Sequence, residues 1–198
     1  MEKPVSEASE RNREPILSVI RPLLQDAQAV LEIGSGTGQH AVYFAEKMPH
    51  LTWITSDREE NHAGIMAWLT DAGLDNTRGP LALDVAQAEW PSVEVDAVFS
   101  ANAVHIMHWG EVEKMITAIG NLLPADGLLI LYGPFNYNSR YTSESNARFD
   151  DWLKARDPQS GIRNFEDVNA LAESTGLILE QDYDMPANNR ILCWRKTK

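Results

Sequence analysis

One segment constrains the fold more than any other: Val30-Leu31-Glu32-Ile33 runs straight into Gly34-Ser35-Gly36-Thr37-Gly38. A mostly apolar run of strand length that ends in three alternating glycines predicts a buried strand and a tight turn. Glycine takes positive φ and lets the backbone approach a ligand closely. His40 to Met48 then reads as a helix, whose start offers unpaired N–H groups and the positive end of its dipole.

The rest of the chain repeats this alternation, which predicts an α/β fold: a doubly wound, mostly parallel sheet of seven strands covered on both faces. Pro15 is expected to open a first helix, with Ile16, Leu17, Val19, Ile20, Leu23 and Leu24 on one stripe. Pro22 is expected to kink or interrupt it. Strands are expected at 29–33, 52–56, 81–85, 97–100, 128–132, 178–183 and 190–195. Helices are expected at 59–72, stopped by Gly73, and at 111–123, ended by Pro124 and Gly127. Residues 136–161 are less regular, with a helix at 144–154. Asn164 is a plausible N-cap for a helix to about Thr175. The last two strands lie close enough in sequence to pair antiparallel. Such a sheet binds ligands where its strand order reverses, at the carboxyl ends of its strands.

Composition narrows the function. The 198 residues are 43% hydrophobic, enough for one well-filled core. No apolar run reaches the roughly 18–20 residues of a membrane span, and Met1 to Glu14 lacks the apolar stretch of a secretory signal. A cytoplasmic location is the expectation. Cys193, the single cysteine, allows no disulfide within the chain and is expected to be a buried packing residue. The balance of 29 acidic against 17 basic residues, a net −12, argues against a nucleic-acid partner. It also favours solubility.

Three motifs fall at predicted strand ends. A nicotinamide dinucleotide site spaces its glycines G-x-G-x-x-G. Here the third glycine comes one residue early, at Gly38, and Gln39 fills the small-residue position. The E-x-G-x-G-x-G form instead resembles the first motif of class I methyltransferases, which bind S-adenosylmethionine. Asp57, closing the second strand, can accept from both ribose hydroxyls. The resemblance implies that Asp84 and Val85 face the adenine, one through its carboxylate and the other through its backbone N–H. It also implies that the loop Ser100 to Trp109 lines the reacting centre. There Asn102 can fix cofactor or substrate, and His105 can orient a nucleophile or take its proton. The cofactor set is then Glu32, Gly34, Ser35, Gly36, Gly38, Asp57, Arg58, Asp84, Val85 and Asn102, with His105 as the catalytic candidate. No spaced ligand set supports a metal at His40, His105 and His108.

Nearly end to end, the chain also resembles one smaller family, the methyltransferase-like domain-of-unknown-function 938 group. The matching stretches are Glu10-Arg11-Asn12, Glu14-Pro15-Ile16-Leu17, Ser35 to Ala41, Ser56-Asp57, Leu83-Asp84-Val85, Asn102 with His105, and Tyr132-Gly133-Pro134. Ser145-Asn146, Phe149-Asp150, Gly161-Ile162-Arg163 and Asp184 to Asn189 continue them. The resemblance implies a single domain over 1–198, with an N-terminal helical segment (1–26) and an insert or lid (134–163). It points to Asn12, Asn146, Asp150, Arg163, Asn188 and Asn189 as polar residues of the lid and substrate wall, and Tyr137 joins Asn12, Asn146, Arg163 and Asn188 as a substrate-binding candidate. Asn188 and Asn189 equally suit a hairpin, and Asp150 a solvated helix position. Tyr137 is the second candidate base, and Arg163 or Arg140 can hold a substrate carboxylate or phosphate. The expected function is methyl transfer to an O, N or S atom of a small metabolite. The alternatives are a cofactor-binding regulatory protein without turnover, an RNA methyltransferase and, weakest, a nicotinamide oxidoreductase.

Overall fold

A computed structural model describes residues 3–198. Seven strands form one sheet in the order β3-β2-β1-β4-β5-β9-β8, a doubly wound arrangement. The chain divides into two compact units, one up to Phe99 and one from Ser100 onward.

The first unit holds α1 (Glu7–Leu23), β1 (Ala29–Ile33), α2 (Gln39–Lys47), β2 (Thr52–Asp57), α3 (His62–Ala72), β3 (Thr77–Ala82) and the start of β4 (Ala97–Ala101). Strand β1 pairs in parallel with β2 on one side and with β4 on the other, and Val30 and Leu31, which point to opposite faces of the sheet, are both buried. Phe44, Trp53 and Phe99 pack ring to ring at 5.3–5.7 Å, with no exposed surface.

Two expectations are corrected here. Helix α1 starts two turns before Pro15, at Glu7, where the Ser6 hydroxyl accepts from Ser9 N–H. Both prolines lie inside it without ending it. Each frees only the carbonyl four residues back, on Arg11 and Ser18, and both of those residues are exposed to water. The third strand lies four residues earlier than its apolar run suggests. Thr77–Ala82 pairs with β2 across a bulge, in which Arg78 faces Ile54 and Leu81 faces Ser56. The intervening Gly79-Pro80 reads as a turn in sequence, but a bulge on the outermost strand tolerates proline. Leu83, Asp84 and Val85 therefore lie in a turn beyond the strand.

The second unit continues β4 and adds α4 (Trp109–Leu122), β5 (Leu128–Gly133), β6 (Phe135–Asn136), α5 (Glu144–Arg156), β7 (Arg163–Asn164), α6 (Phe165–Ser174), β8 (Leu177–Met185) and β9 (Asn189–Lys196). Strand β9 runs antiparallel to both β5 and β8. Leu129–Leu131 and Ile191–Trp194 are wholly buried, as interior strands covered on both faces should be. Cys193 is among them, and burial pushes its thiol up to about 12. The hairpin between β8 and β9 turns on Ala187 and Asn188, both at positive φ. Residues 135–136 and 163–164 form a small parallel pair outside the main sheet, which the sequence did not signal. Among the described residues no helix is long and apolar enough to cross a membrane.

Candidate functional site

The glycine turn sits at the carboxyl end of β1, and its backbone is pinned to β2. The amides of Gly34 and Ser35 both donate to Ser56 O at 3.0 Å. Gly36 N–H donates to Asp57 Oδ2 at 2.7 Å. Gly34, Gly36 and Gly38 have φ of 73°, 58° and 89°. A side chain on Gly38 would press on Ile65 Cα at 3.1 Å, so this glycine serves the packing of the turn on α3. At Gly36 nothing lies within 4 Å of where a Cβ would stand. That is the open face of the turn.

Glu32 lies beneath the turn and is 2% exposed. Burial raises its carboxyl pKa to about 7, against the opposing effect of hydrogen bonds from Trp53 and Ser35. Trp53 Nε1 donates to Oε2 at 3.1 Å. Asp57 is also buried, and it closes β2. Its Oδ1 accepts from Arg58 N and from Asn61 Nδ2, both at 2.8 Å. Arg58 itself is exposed and pairs with Glu60 at 3.2 Å. Asp84 uses Oδ1 to close its own turn, accepting from Ala86 N at 2.9 Å, and Val85 is buried beside it.

Gln39 replaces the small residue of a dinucleotide site for a visible reason. Its side chain accepts from Ser6 N at 2.5 Å and from the Thr37 hydroxyl at 3.0 Å, and donates to Glu10 at 2.7 Å. This ties α1 to the glycine turn. Asn12 belongs to the same seam, its Oδ1 accepting from His40 Nε2 at 2.7 Å. Burial, with Arg13 adding to it, lowers the His40 pKa to about 4, so the ring is neutral.

In the second unit, Asn102 stands at φ 57° directly after β4, its N–H on Tyr132 O at 2.8 Å. His105 is 5% exposed and meets the Phe149 ring edge-on at 5.2 Å. Burial, then the neighbouring Arg163 cation, lowers its pKa to about 4. Gly133 leaves a notch bordered by both residues. A Cβ there would lie 3.6 Å from His105 Nδ1 and 3.9 Å from Asn102 Oδ1.

The other sequence-selected residues of this unit are committed within the protein. Arg163 donates to the carbonyls of Val104, Met107 and Gln159. Tyr137 donates to Asp182 at 2.8 Å and stacks on Phe165, and burial with that bond holds its phenol well above the usual range. Arg140 pairs with Tyr137 through the backbone across a tight turn. Asn146 is buried, donating to Thr142 and to Asn188 O, while Asn188 Nδ2 reaches Ser145. These asparagines join α5 to the β8–β9 hairpin. His108 pairs with Asp157 at 2.7 Å. Among the described residues no group of three or more His, Cys, Asp or Glu side chains is placed to hold a metal. The residue the sequence undervalued is Asp150. It reads equally as a lid residue or a solvated helix position, yet it has no exposed surface.

A sheet of this order, with a glycine turn after β1 and an antiparallel β9, is the class I methyltransferase fold. The solved structure of an O-methyltransferase family protein from Burkholderia thailandensis superposes with a TM-score of 0.85 at 15% identity, over 97% of this chain and 58% of that one. The S-adenosylmethionine-dependent methyltransferase SibL gives 0.82 at 19% identity, over 96% and 56%. Human N-acetylserotonin methyltransferase in complex with SAM gives 0.78 at 16% identity, over 97% and 53%. The chain thus spans a little over half the length of these structures. It belongs to the family described as Protein of unknown function (DUF938), whose model matches residues 3–196.

Proposed function

We propose that the chain binds S-adenosylmethionine on the Gly34–Gly38 turn and transfers its methyl group to a small molecule. The observation that carries this reading is the pinned turn with its open face at Gly36. Similarity in fold to proteins named as S-adenosylmethionine-dependent methyltransferases supports it. When bound, the sulfonium supplies an electrophilic methyl group.

This chain's own residues then have distinct tasks. Asp57 keeps one acceptor position on Oδ2 for a ribose hydroxyl, beyond the three donors it already holds. Arg58 borders that position. Asp84 Oδ2 and the Val85 N–H serve the adenine, and Asn102 the reacting end. Glu32 braces the turn from below through Ser35 and is itself held by Trp53 of β2. In-line displacement needs alignment more than a protein nucleophile.

His105 meets the acceptor of the small molecule. With a pKa of about 4 it is neutral at pH 7, and protonating it there costs about 4 kcal/mol. Orienting an acceptor O–H or N–H through a neutral ring nitrogen is therefore favoured over holding its proton. Arg163 is spent on backbone carbonyls, which leaves it a poor clamp for a substrate anion.

The test uses calorimetry and a labelled cofactor. S-adenosylmethionine should bind the full chain, and label should pass to a small molecule when metabolite extract is added. Absence of cofactor binding would overturn the reading. Tight binding without transfer to any small molecule would favour a regulatory role, and label in RNA would return the RNA methyltransferase alternative.

A further inference from the structure

The loop that follows β4 is gripped at three carbonyls by one short strap. Gly161 N–H donates to His105 O at 2.9 Å. The Arg163 guanidinium donates to Val104 O at 3.4 Å and to Met107 O. The strap, Gly161–Arg163, is itself fixed by a side chain on α5. Ile162 N–H donates to Asp150 Oδ1 at 2.6 Å. The other oxygen, Oδ2, accepts from the Tyr141 hydroxyl at 2.6 Å and Lys154 Nζ at 2.5 Å. Packing around Gly161 is close: a Cβ there would stand 2.9 Å from Asp150 Oδ1. One residue before Asp150, Phe149 touches the His105 ring.

A wholly buried carboxylate is retained only where its bonds repay its desolvation. Lys154 is half-exposed, so that ion pair alone contributes little. The bonds with structural consequence lead to the strap.

We propose that Asp150 is a positioning residue for His105, acting through the Gly161–Arg163 strap. The proposal rests on the reading of His105 as the group that meets the acceptor. Asp150 itself stays bonded to the strap, Tyr141 and Lys154. Its carboxylate holds Ile162, the strap brings Gly161 N–H and the Arg163 fork to the loop, and the loop backbone then has one arrangement in which the His105 ring lies against Phe149.

Imidazole titration of the full chain by NMR tests this without any substrate. Arg163 is the charged group that bears on His105, and Asp150 bears on Arg163. If Asp150 acts only as a charge, Asp150→Ala removes a negative group and leaves His105 at or below its wild-type midpoint of about 4. If it acts through the strap, Asp150→Ala frees Ile162 and Arg163 and opens the ring to water. The His105 midpoint then rises by about one pH unit or more toward about 6.5. Asp150→Asn keeps an oxygen for Ile162 N–H and should restore the low midpoint. Should Asp150→Ala fail to fold, Gly161→Ala displaces the same carboxylate and should raise the midpoint. An unchanged or lowered midpoint in a folded Asp150→Ala or Gly161→Ala variant overturns the proposal. Failure of cofactor binding would remove the catalytic reading of His105 and leave this titration result standing.

Discussion

The amide of Gly36 donates to the carboxylate of Asp57 at 2.7 Å, joining the turn after β1 to the last residue of β2. One carboxylate thus shapes the loop and, in the proposed function, remains able to accept from a ligand. Charge-assisted bonds to buried carboxylates contribute about 1.5–3 kcal/mol each.

Asp57→Ala should therefore weaken S-adenosylmethionine by tenfold or more while the sheet stays intact by circular dichroism. Calorimetry on both proteins decides it, and equal affinities would remove Asp57 from the site.

Gly36 and Gly38 should fail differently. Both need positive φ, which costs a non-glycine residue about 1 kcal/mol or more. Only at Gly38 would the new methyl group also meet backbone, at Ile65. Gly38→Ala should lose about 2–4 kcal/mol in urea unfolding. Gly36→Ala should lose about 1 kcal/mol yet bind S-adenosylmethionine poorly, because its methyl group fills the open face. Similar stability losses with similar binding would contradict this division.

Glu32 should make the fold sensitive to alkali. Its folded pKa, about 7, lies above the ordinary 4.5. The folded state therefore binds the extra proton between those values, and stability is lost as pH rises across that window, by up to about 3 kcal/mol. Glu32→Gln keeps an oxygen for Trp53 Nε1 and has no charge to bury. It should be more stable than wild type at pH 8 by about 2–3 kcal/mol and no more stable at pH 4.5. Denaturation at the two pH values would expose the error if the difference were constant.

His40 and His105 act in the opposite direction. Their folded pKa values, about 4, lie below the ordinary 6.5. Between those limits the unfolded state binds more protons, so stability rises with pH across the window, by up to about 3 kcal/mol for each ring. Replacing His105 by Asn should flatten the stability–pH curve between pH 4.5 and 6 by about one proton. An unaltered slope would show that His105 titrates normally in the folded chain.

The sequence was most informative where one periodicity acts without interference. Ala29–Ile33 was legible to the residue because a mostly apolar run this short, stopped by a glycine turn, suits a buried strand and not a helix. The antiparallel final strand and a hairpin near Asn188 were legible for similarly local reasons. Thr77–Ala82 was obscured by Gly79-Pro80, since only its place at the sheet edge, with a bulge, makes proline acceptable there. Pro15 misled because whether a helix can run through a proline depends on whether water reaches the carbonyl it frees.

The chain's sequence by itself determined the class of fold and the glycine turn after β1, because glycine spacing and apolar period act over a few residues. Only the tertiary structure decided what the polar residues do. Arg163 and Asn146 resemble substrate contacts in sequence, yet they hold backbone carbonyls. Asp150 suits a lid residue or a solvated helix position in sequence, and it is buried with its carboxylate on Ile162 N–H. A polar side chain's role is set by the donor or acceptor it meets across the fold, and in this chain those partners stand up to dozens of residues away.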